Sequence, residues 1–456
     1  MIKKILPWII NLLLLATVNA EELNSDNTTV ILTNNTPVVL QLKINLLTED
    51  KAFQKGKDWD GNSLLLAPYE TKSILWFNRN IHVKSDQLYQ FDIVIEHPNY
   101  HHQDLIISVT EKGKKIYGSD IYANLTLPLQ IKRNILVNNH FQLIAADFWN
   151  NSYQIYARQW TPLTSLVGHY HFTINQPQTN IFNTSSAKRI SILSYNTQFM
   201  PFYANVINNL NQPDIRVTDI PPKISSYDVV ILEELFDKDL RLKIIKLMQV
   251  HYPFHTEVVG DHTTKALTGG IMMFSKWPII KQDQIIYQAS ADIDSLAAKG
   301  VIYAAINKMG IIYHVFGTHL QAAEVNGGHD ARQKQLLELA NWIENLNIPP
   351  HQAVLIGGDF NIHYLSPDFI VLQNTLHVKL LDNIGYPYST DSDINTMSKG
   401  QHRSRIDYIF YSNLHLTAKI AYNKIFILRD LENVKMWPSF DLSDHFPVVG
   451  FFDFNE

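Results

Sequence analysis

The sequence contains no cysteine among its 456 residues. This absence excludes disulfide bonds, thiolate metal sites, a cysteine nucleophile and a lipid-modified N-terminal cysteine. The folded chain must therefore be stabilised by its hydrophobic cores. With 46% hydrophobic and 11% aromatic residues, the chain is long enough for two ordinary domains of roughly 100 to 200 residues each.

The chain also has no excess of basic residues. Its 38 Lys and Arg against 43 Asp and Glu give a formal net charge of −5. Because the phosphate backbone dominates affinity for nucleic acids, such a chain has no overall field to attract them. We therefore expect no nucleic-acid partner, although a local basic patch could still bind one.

The N-terminal apolar run, residues 5–15, is too short to cross a hydrocarbon core of about 30 Å comfortably. Lys3 and Lys4 precede it, and the small residues of Val18-Asn19-Ala20 follow it. This pattern is typical of a cleaved export signal. We predict a signal peptide at residues 1–20 and a secreted or periplasmic protein; the alternative is an uncleaved N-terminal anchor.

Residues 21–174 alternate polar and apolar side chains, as half-buried strands do. The clearest runs are Leu40, Leu42, Ile44 and Leu46, then Tyr89, Phe91, Ile93 and Ile95. Glu111-Lys112-Gly113-Lys114 is predicted to form a hairpin turn. We predict an all-β, sandwich-like accessory domain that is structural or binds a membrane or another surface.

Residues 175–187 are polar and rich in turn formers, which predicts a linker. In residues 188–456, short apolar strands at 190–193, 229–232, 314–316 and 354–356 alternate with helical patterns. The clearest predicted helix spans residues 331–346, with Asp330 and Gln333 as a capping box. Its apolar face is predicted to contain Leu336, Leu337, Ala340, Ile343 and Leu346. This order predicts an α/β domain with its site at a sheet edge.

Polar residues suited to catalysis end these apolar runs. They are Asn196, Glu234, His319, Asp359 with Asn361, Asp407, and the run Ser443-Asp444-His445. Taken singly, each is more often a turn, cap or structural residue. Together they offer oxygen ligands of the kind that Mg²⁺ prefers. They also offer two histidines, expected near their usual pKa of about 6.5, to share acid and base roles.

From Arg189 to the C-terminus this ordered set resembles the endonuclease/exonuclease/phosphatase superfamily. The resemblance implies a DNase I-like, four-layer α/β/β/α sandwich with a divalent metal. Within the superfamily, the chain is most similar to the Mg²⁺-dependent neutral sphingomyelinases. The residues that carry this similarity are Asp294 and Lys299 in residues 292–301, and the segment Thr318-His319-Leu320-Gln321-Ala322.

The resemblance implies that Glu234 is the principal Mg²⁺ ligand, with Asn196 beside it and Asp444 supporting the metal side. Mn²⁺ or Co²⁺ could substitute. His445 would be the general base, with its tautomer fixed by Asp407.

On the substrate side, the resemblance implies that Asp359 positions the attacking water and Asn361 donates to the phosphate. His319 would protonate or stabilise the leaving ceramide oxygen. Asp294 and Lys299 would form a gating pair, and Asn395 belongs to a loosely matching substrate loop. The implied partner is the phospholipid headgroup of a sphingomyelin-containing membrane.

The chain departs from the family pattern at two places. Glu233 stands where Gln is usual before the metal-binding Glu. The aromatic hairpin of haemolytic members is reduced to Met436, Trp437 and Phe440, so membrane lysis is not expected from it.

Three functions remain open from the sequence. The first is a secreted sphingomyelin phosphodiesterase. The second is a phosphodiesterase of the same fold that acts on nucleic acid or a glycerophospholipid. The third is a surface-binding toxin module with a vestigial catalytic fold.

Overall fold

The chain divides into two compact units, whose described parts are residues 27–177 and 184–455. The computed structural model describes residues 27–47, 53–55, 64–78, 86, 88–113, 119–126, 132–150, 152–160, 169–177, 184–201, 212–262, 264–322, 326–398, 400, 403–436 and 440–455. The predicted signal peptide and Trp437 lie outside these ranges. Within them, no helix has the length and apolarity needed to cross a membrane. The predicted domain limits remain predictions.

The elements of the first unit, as far as it is described, are all strands. They are β1 Asn27–Asn35, β2 Leu40–Leu46, β3 Phe53–Lys55, β4 Leu64–Leu66, β5 Thr71–Asn78, β6 Leu88–Glu96, β7 Leu105–Gly113, β8 Ser119–Thr126, β9 Lys132–Leu136, β10 Gln142–Phe148, β11 Tyr153–Trp160 and β12 His169–Asn175. They form two six-stranded sheets, in the orders β10-β11-β12-β1-β5-β3 and β4-β2-β6-β7-β8-β9. A single apolar core contains side chains from both sheets. The period-two runs predicted strands β2 and β6 correctly.

The turn predicted at residues 111–114 is wrong. Glu111, Lys112 and Gly113 belong to β7 and pair with Ile121, Asp120 and Ser119 of β8. Because their backbone groups are satisfied by this ladder, the strand continues through them. Lys114, the last residue of the predicted turn, lies outside the described part of the chain.

The second unit mixes strands with helices. Its strands are β13 Arg189–Phe199, β14 Val229–Leu235, β15 Phe254–His255, β16 Met272–Ser275, β17 Ile279–Ile286, β18 Gly300–Lys308, β19 Ile311–His319, β20 Ala353–Asp359, β21 Thr390–Asp391, β22 Arg403–Ser404, β23 Asp407–Tyr411, β24 Ile420–Ile425 and β25 Val448–Asp453. Its helices are α1 Pro213–Lys223, α2 Lys238–Met248, α3 Gly328–Asn345 and α4 Pro367–Leu376, with 3-10 turns at Asp292–Leu296 and Val434–Met436.

Two sheets organise this unit. One has the order β15-β16-β14-β13-β25-β24 and the other β17-β18-β19-β20-β23. β13 and β14 are parallel, as are β19 and β20, so their carboxyl ends meet at one edge. β23 and β25 run antiparallel to β20 and β13 and begin at that edge. The ends of the central strands therefore bring the predicted site residues together.

Helix α3 begins earlier than the sequence predicts. Gly327, with φ of 85°, is the residue before its first turn, and Asp330 lies inside that turn. The predicted capping box at Asp330 is therefore wrong, because the helix has already begun. On the predicted apolar face, Leu336 is buried but Leu337 is 54% exposed.

Candidate active site

His445 and Asp407 form a buried pair at the starts of β25 and β23. Nδ1 of His445 donates to Oδ2 of Asp407 over 2.9 Å. Ser389 supports the carboxylate's strand, because its hydroxyl accepts from the backbone N–H groups of Ile406 and Asp407. The pair fixes the imidazole so that Nε2 faces the remaining site residues.

Asp359, the last residue of β20, lies between the two histidines. Its Oδ2 is 3.9 Å from Nε2 of His445 and 3.6 Å from Nε2 of His319. The amide of Asn196 donates to the same oxygen over 3.2 Å. Burial, together with the charge of Asp407, raises the pKa of Asp359 to about 6. The predicted site residues from β13, β19, β20 and β23 thus surround one carboxylate.

The two glycines before Asp359 allow β20 to approach β19 closely. Gly358 has φ of 150°, and a Cβ there would lie 1.9 Å from the carbonyl oxygen of Thr318. Only glycine fits this pairing of β20 with β19.

The two histidines do not keep the ordinary pKa that the sequence predicts. Burial opposes protonation of His445, but the carboxylates of Asp407, Asp359 and Asp444 outweigh it and raise its pKa well above the usual value. Burial and the nearby Lys299 ammonium lower the pKa of His319 well below it. The expectation of two histidines titrating near 6.5 is therefore wrong.

Lys299 is the cation next to His319. Its ammonium donates to Nε2 of His319 over 3.0 Å and to the carbonyl of Leu320 over 2.8 Å. It also pairs with Oδ2 of Asp294 over 3.1 Å. The two residues of the predicted gating pair thus form an ion pair, and Lys299 contacts the predicted acid directly; the gating role itself stays a prediction. Nδ1 of His319 has no hydrogen-bond partner among the residues that the structure describes.

Glu234, Asn196 and Asp444 supply a set of oxygens near one another, because Asn196 hydrogen-bonds Glu234 and the charge of Asp444 acts on Glu234. Burial and the charge of Asp444 raise the pKa of Glu234 to about 7. Two acids this close repel each other, and a divalent cation between them would relieve the repulsion. An oxygen donor set of this kind fits Mg²⁺.

A second group also has ligand atoms close together. Asp359, Asp407 and His445 lie with these atoms within 4.8 Å of one another. An ion bound there would break the His445 to Asp407 hydrogen bond, so we favour the Glu234 side.

Asn361 and Asn395 are placed differently from each other. The side-chain amide of Asn361 donates to Leu320 over 3.2 Å, and the residue is partly exposed at the site. Asn395 is completely buried, and its amide donates to the carbonyl of Ser443 over 2.8 Å. Asn395 therefore supports the Ser443-Asp444-His445 run from behind.

Two further residues that the sequence did not single out hold the site. Gln198 donates to Oδ2 of Asp444 over 2.7 Å. Arg216 of α1 is buried and donates to the carbonyls of Thr197, Gln198 and Leu442 over 2.7, 3.1 and 3.0 Å. Strand periodicity could have indicated Gln198, since it lies two residues after Asn196. The position of Arg216 on a separate helix has no comparable signal.

Glu233 is buried directly behind the site. One of its carboxylate oxygens accepts from the hydroxyl of Ser194 over 2.5 Å, and the other has no partner among the described residues. Burial is the main cause that raises its pKa well above the usual value.

Comparison with curated proteins finds sphingomyelinases and phospholipases C. Sphingomyelinase C 2 of Leptospira interrogans is 29% identical over 307 residues, covering 62% of this chain and 49% of that protein. Sphingomyelinase C of Listeria ivanovii is 32% identical over 254 residues, covering 50% and 76%. The chain thus spans about half the length of the first relative and about three quarters of the second.

Comparison with solved structures finds chains of similar fold. The crystal structure of beta toxin from Staphylococcus aureus has a TM-score of 0.55 at 26% identity, covering 58% of this chain and 100% of that one. A variant of the same toxin with bound magnesium ions has a TM-score of 0.54 at 25% identity, covering 58% of this chain and 99% of that one. These neighbours support the predicted DNase I-like fold.

The predicted resemblance, both to the superfamily and to its sphingomyelinases, is confirmed. The prediction of an enzyme of the phosphoric diester hydrolase class agrees with these relatives. The model of the endonuclease/exonuclease/phosphatase family matches residues 193–445. Because this match covers more than half of the chain, the protein belongs to the endonuclease/exonuclease/phosphatase family.

Proposed function

We propose that the protein is a Mg²⁺-dependent phosphodiesterase that hydrolyses sphingomyelin to ceramide and phosphocholine. The observation that carries the proposal is the placement of His445 and His319 at 3.9 and 3.6 Å from one carboxylate oxygen of Asp359. This arrangement supports base and acid functions on two sides of a phosphorus atom. The choice of sphingomyelin rests on the similarity to sphingomyelinases.

On the base side, Nε2 of His445 accepts the proton of the attacking water. Asp407 holds Nδ1–H and so keeps Nε2 free to accept. The raised pKa of His445 makes it a strong proton acceptor once it is neutral. Asp359 orients the water that His445 deprotonates.

On the leaving side, His319 and Lys299 face the departing ceramide oxygen. Because the Lys299 ammonium donates to Nε2 of His319, a positive charge and an N–H proton that can be transferred are already present on the leaving side. This charge stabilises the developing alkoxide as the P–O bond breaks. Asn361 donates to a phosphate oxygen.

Glu234 and Asn196, with Asp444 behind them, would hold Mg²⁺, or Mn²⁺ or Co²⁺ in its place. When bound, such an ion neutralises the anionic phosphodiester and polarises its oxygens.

We extend the proposal to the whole chain. Residues 188–456 would form a four-layer α/β/β/α sandwich, and residues 21–174 an accessory β-sandwich joined by a linker. Residues 1–20 would direct export and be removed. The lipid-bearing membrane surface would be the partner.

The test is phosphocholine release from sphingomyelin vesicles with Mg²⁺, compared with phosphatidylcholine vesicles and plasmid DNA. We expect release from sphingomyelin and its loss in EDTA. Cleavage of DNA or phosphatidylcholine instead would keep the mechanism but refute the substrate. No turnover of any of the three would favour a binding module with a vestigial catalytic fold.

A further inference from the structure

The 3-10 turn Asp292–Leu296 exposes two large aliphatic side chains. Ile293 is 70% and Leu296 48% exposed, and none of the five residues of the turn is buried. Leu267 extends the apolar surface, because it is partly exposed and its backbone N–H donates to the carbonyl of Leu296 over 3.1 Å. A tight turn that places two aliphatic side chains in water gains no stability from them.

This turn is joined directly to the candidate active site. Asp294, between Ile293 and Leu296, accepts from Lys299 and from the backbone N–H of Ala322. Lys299 in turn contacts His319. The exposed side chains are therefore only a few bonds from the leaving side of the site.

A further exposed aliphatic residue lies beyond Asn361. The carbonyl of Leu320 accepts from both Lys299 and Asn361. Leu365, four residues after Asn361, is 75% exposed. Apolar side chains thus lie on two segments that meet at Leu320.

The charges near the turn favour a zwitterionic surface. Asp292 is exposed and accepts from the amide of Asn326. The only nearby cations among the described residues that contact the turn are Lys299, paired with Asp294, and Lys265, which donates to the carbonyl of Ala297. An exposed carboxylate beside apolar side chains suits choline headgroups, whose cationic end faces outward, and repels anionic lipids.

We propose that Ile293 and Leu296, together with Leu365, form an interfacial anchor that enters the headgroup region of a choline-lipid bilayer and holds the site at its surface. This inference rests on the proposed function, because that reaction brings a bilayer to the leaving side of the site in every turnover. Interfacial binding grows with the apolar area that enters the membrane, so a few aliphatic side chains have a measurable effect.

The experiment compares hydrolysis of sphingomyelin vesicles with hydrolysis of a monomeric, water-soluble phosphocholine diester. The variants are Ile293→Ser with Leu296→Ser, and Leu365→Ser alone. The matched control is Leu414→Ser with Ile420→Ser. Leu414 and Ile420 are 60% and 51% exposed. Leu414 follows the far end of β23 and Ile420 begins β24, so both lie at the strand ends opposite the site. Each variant is also combined with His445→Ala, which prevents lipid turnover, and its sedimentation with sphingomyelin vesicles is measured.

We expect the ratio of vesicle to soluble rates to fall about tenfold in the turn variant, and less in Leu365→Ser, because about 1.4 kcal/mol of interfacial binding is a factor of ten. Sedimentation should weaken in parallel, and the control should match the wild type. An unchanged ratio, an equal loss of both rates, or an equal effect in the control would overturn the inference. If the wild type hydrolyses neither substrate, the proposed function fails, and the sedimentation comparison still decides whether the turn is an anchor.

Discussion

The hydrogen bond from His445 to Asp407 determines which imidazole nitrogen faces the other catalytic groups. Because Nδ1 is occupied by the carboxylate at 2.9 Å, only Nε2 is available to a water molecule. The identity of the partner matters as well as its distance, since an amide in place of Asp407 could donate to Nδ1 and reverse the tautomer.

His445→Ala should lower kcat by about 10²- to 10⁴-fold, the usual contribution of one proton transfer. Asp407→Asn should also lower kcat, because the amide would favour the wrong tautomer of His445. Initial rates of phosphocholine release measure both effects, and circular dichroism checks folding. A His445→Ala variant with near-normal kcat would remove this residue from the base role.

Glu233→Gln should retain most of the activity. Glu233 is completely buried and uses one oxygen to accept from Ser194, and a glutamine side chain can accept the same hydrogen bond. The matched change, Glu234→Gln, removes a charged oxygen ligand and should raise the Mg²⁺ concentration needed for half-maximal rate. Mg²⁺ titration of the rate distinguishes the two positions, and equal losses would show that Glu233 also acts as a charged group.

At the residue level, the sequence predicted which side chains would meet, because strand ends and motif order place Asn196, His319, Asp359 and Asp407 together. It did not predict the pKa directions of the histidines. Those depend on burial and on the count of neighbouring charges, which only the folded chain determines. Arg216 was missed because the backbone carbonyls that it contacts, those of Thr197, Gln198 and Leu442, are all far from it in sequence.

The helices differ in how the backbone N–H groups of their first turns are capped. The hydroxyl of Ser366 accepts from the backbone N–H of Phe369 at the start of α4, and Asp237 accepts from Asp239 and Leu240 at the start of α2. Helix α3 instead begins after Gly327, without a side-chain cap.

Ser366→Ala should therefore lower the free energy of unfolding by about 1 kcal/mol, the usual value of an N-cap. Asp330→Ala should change it by only a few tenths of that, because Asp330 caps no N–H group. Its remaining interactions are with the helix dipole and with the exposed His329 at 3.4 Å, and an exposed ion pair contributes little. Urea unfolding followed by tryptophan fluorescence measures both. An equal loss at Asp330 would restore the capping box that the sequence predicted.

Periodicity succeeded for elements whose burial alternates and failed at their ends. β2 and β6 follow their period-two patterns because one face of each packs against the core. The polar run at residues 111–113 is read from sequence as a turn, yet it is strand because β8 supplies its partners. Pairing between strands is a tertiary property, so local residue types cannot determine where a strand ends.

The whole molecule combines two units with separate cores, and the first unit contains a buried polar cluster. His171 contacts Thr33 through Nε2 over 2.8 Å and accepts from Arg158 at Nδ1 over 3.1 Å. Burial, and secondarily the charge of Arg158, lower the pKa of His171 well below the usual value. His171 is therefore neutral in the folded unit.

Acidification should destabilise this unit. A histidine whose pKa is lower in the folded than in the unfolded chain takes up a proton on unfolding, so its stabilising contribution is complete above the unfolded pKa of about 6.5 and is lost as pH falls below it. The protection factors of the β12 amides, which correct the observed exchange for the slower intrinsic rate at low pH, should fall between pH 7 and pH 5. His171→Gln should flatten this dependence, whereas an unchanged pH dependence in the variant would assign it to other groups.

The length of the chain allows two ordinary domains, and the chain divides into two compact units. Because there is no cysteine, their stability depends on the apolar cores seen in both. What composition could not indicate is the substrate, because the net charge of −5 describes the whole surface and not the site.

The most direct test of the proposed mechanism is sphingomyelin hydrolysis with Mg²⁺ in water enriched in ¹⁸O, followed by mass analysis of both products. Attack of water on phosphorus, promoted by His445, predicts one heavy oxygen in phosphocholine, none in ceramide, and loss of labelled product in His445→Ala. Heavy oxygen in ceramide, or no phosphocholine at all, would rule out water attack on phosphorus at this site.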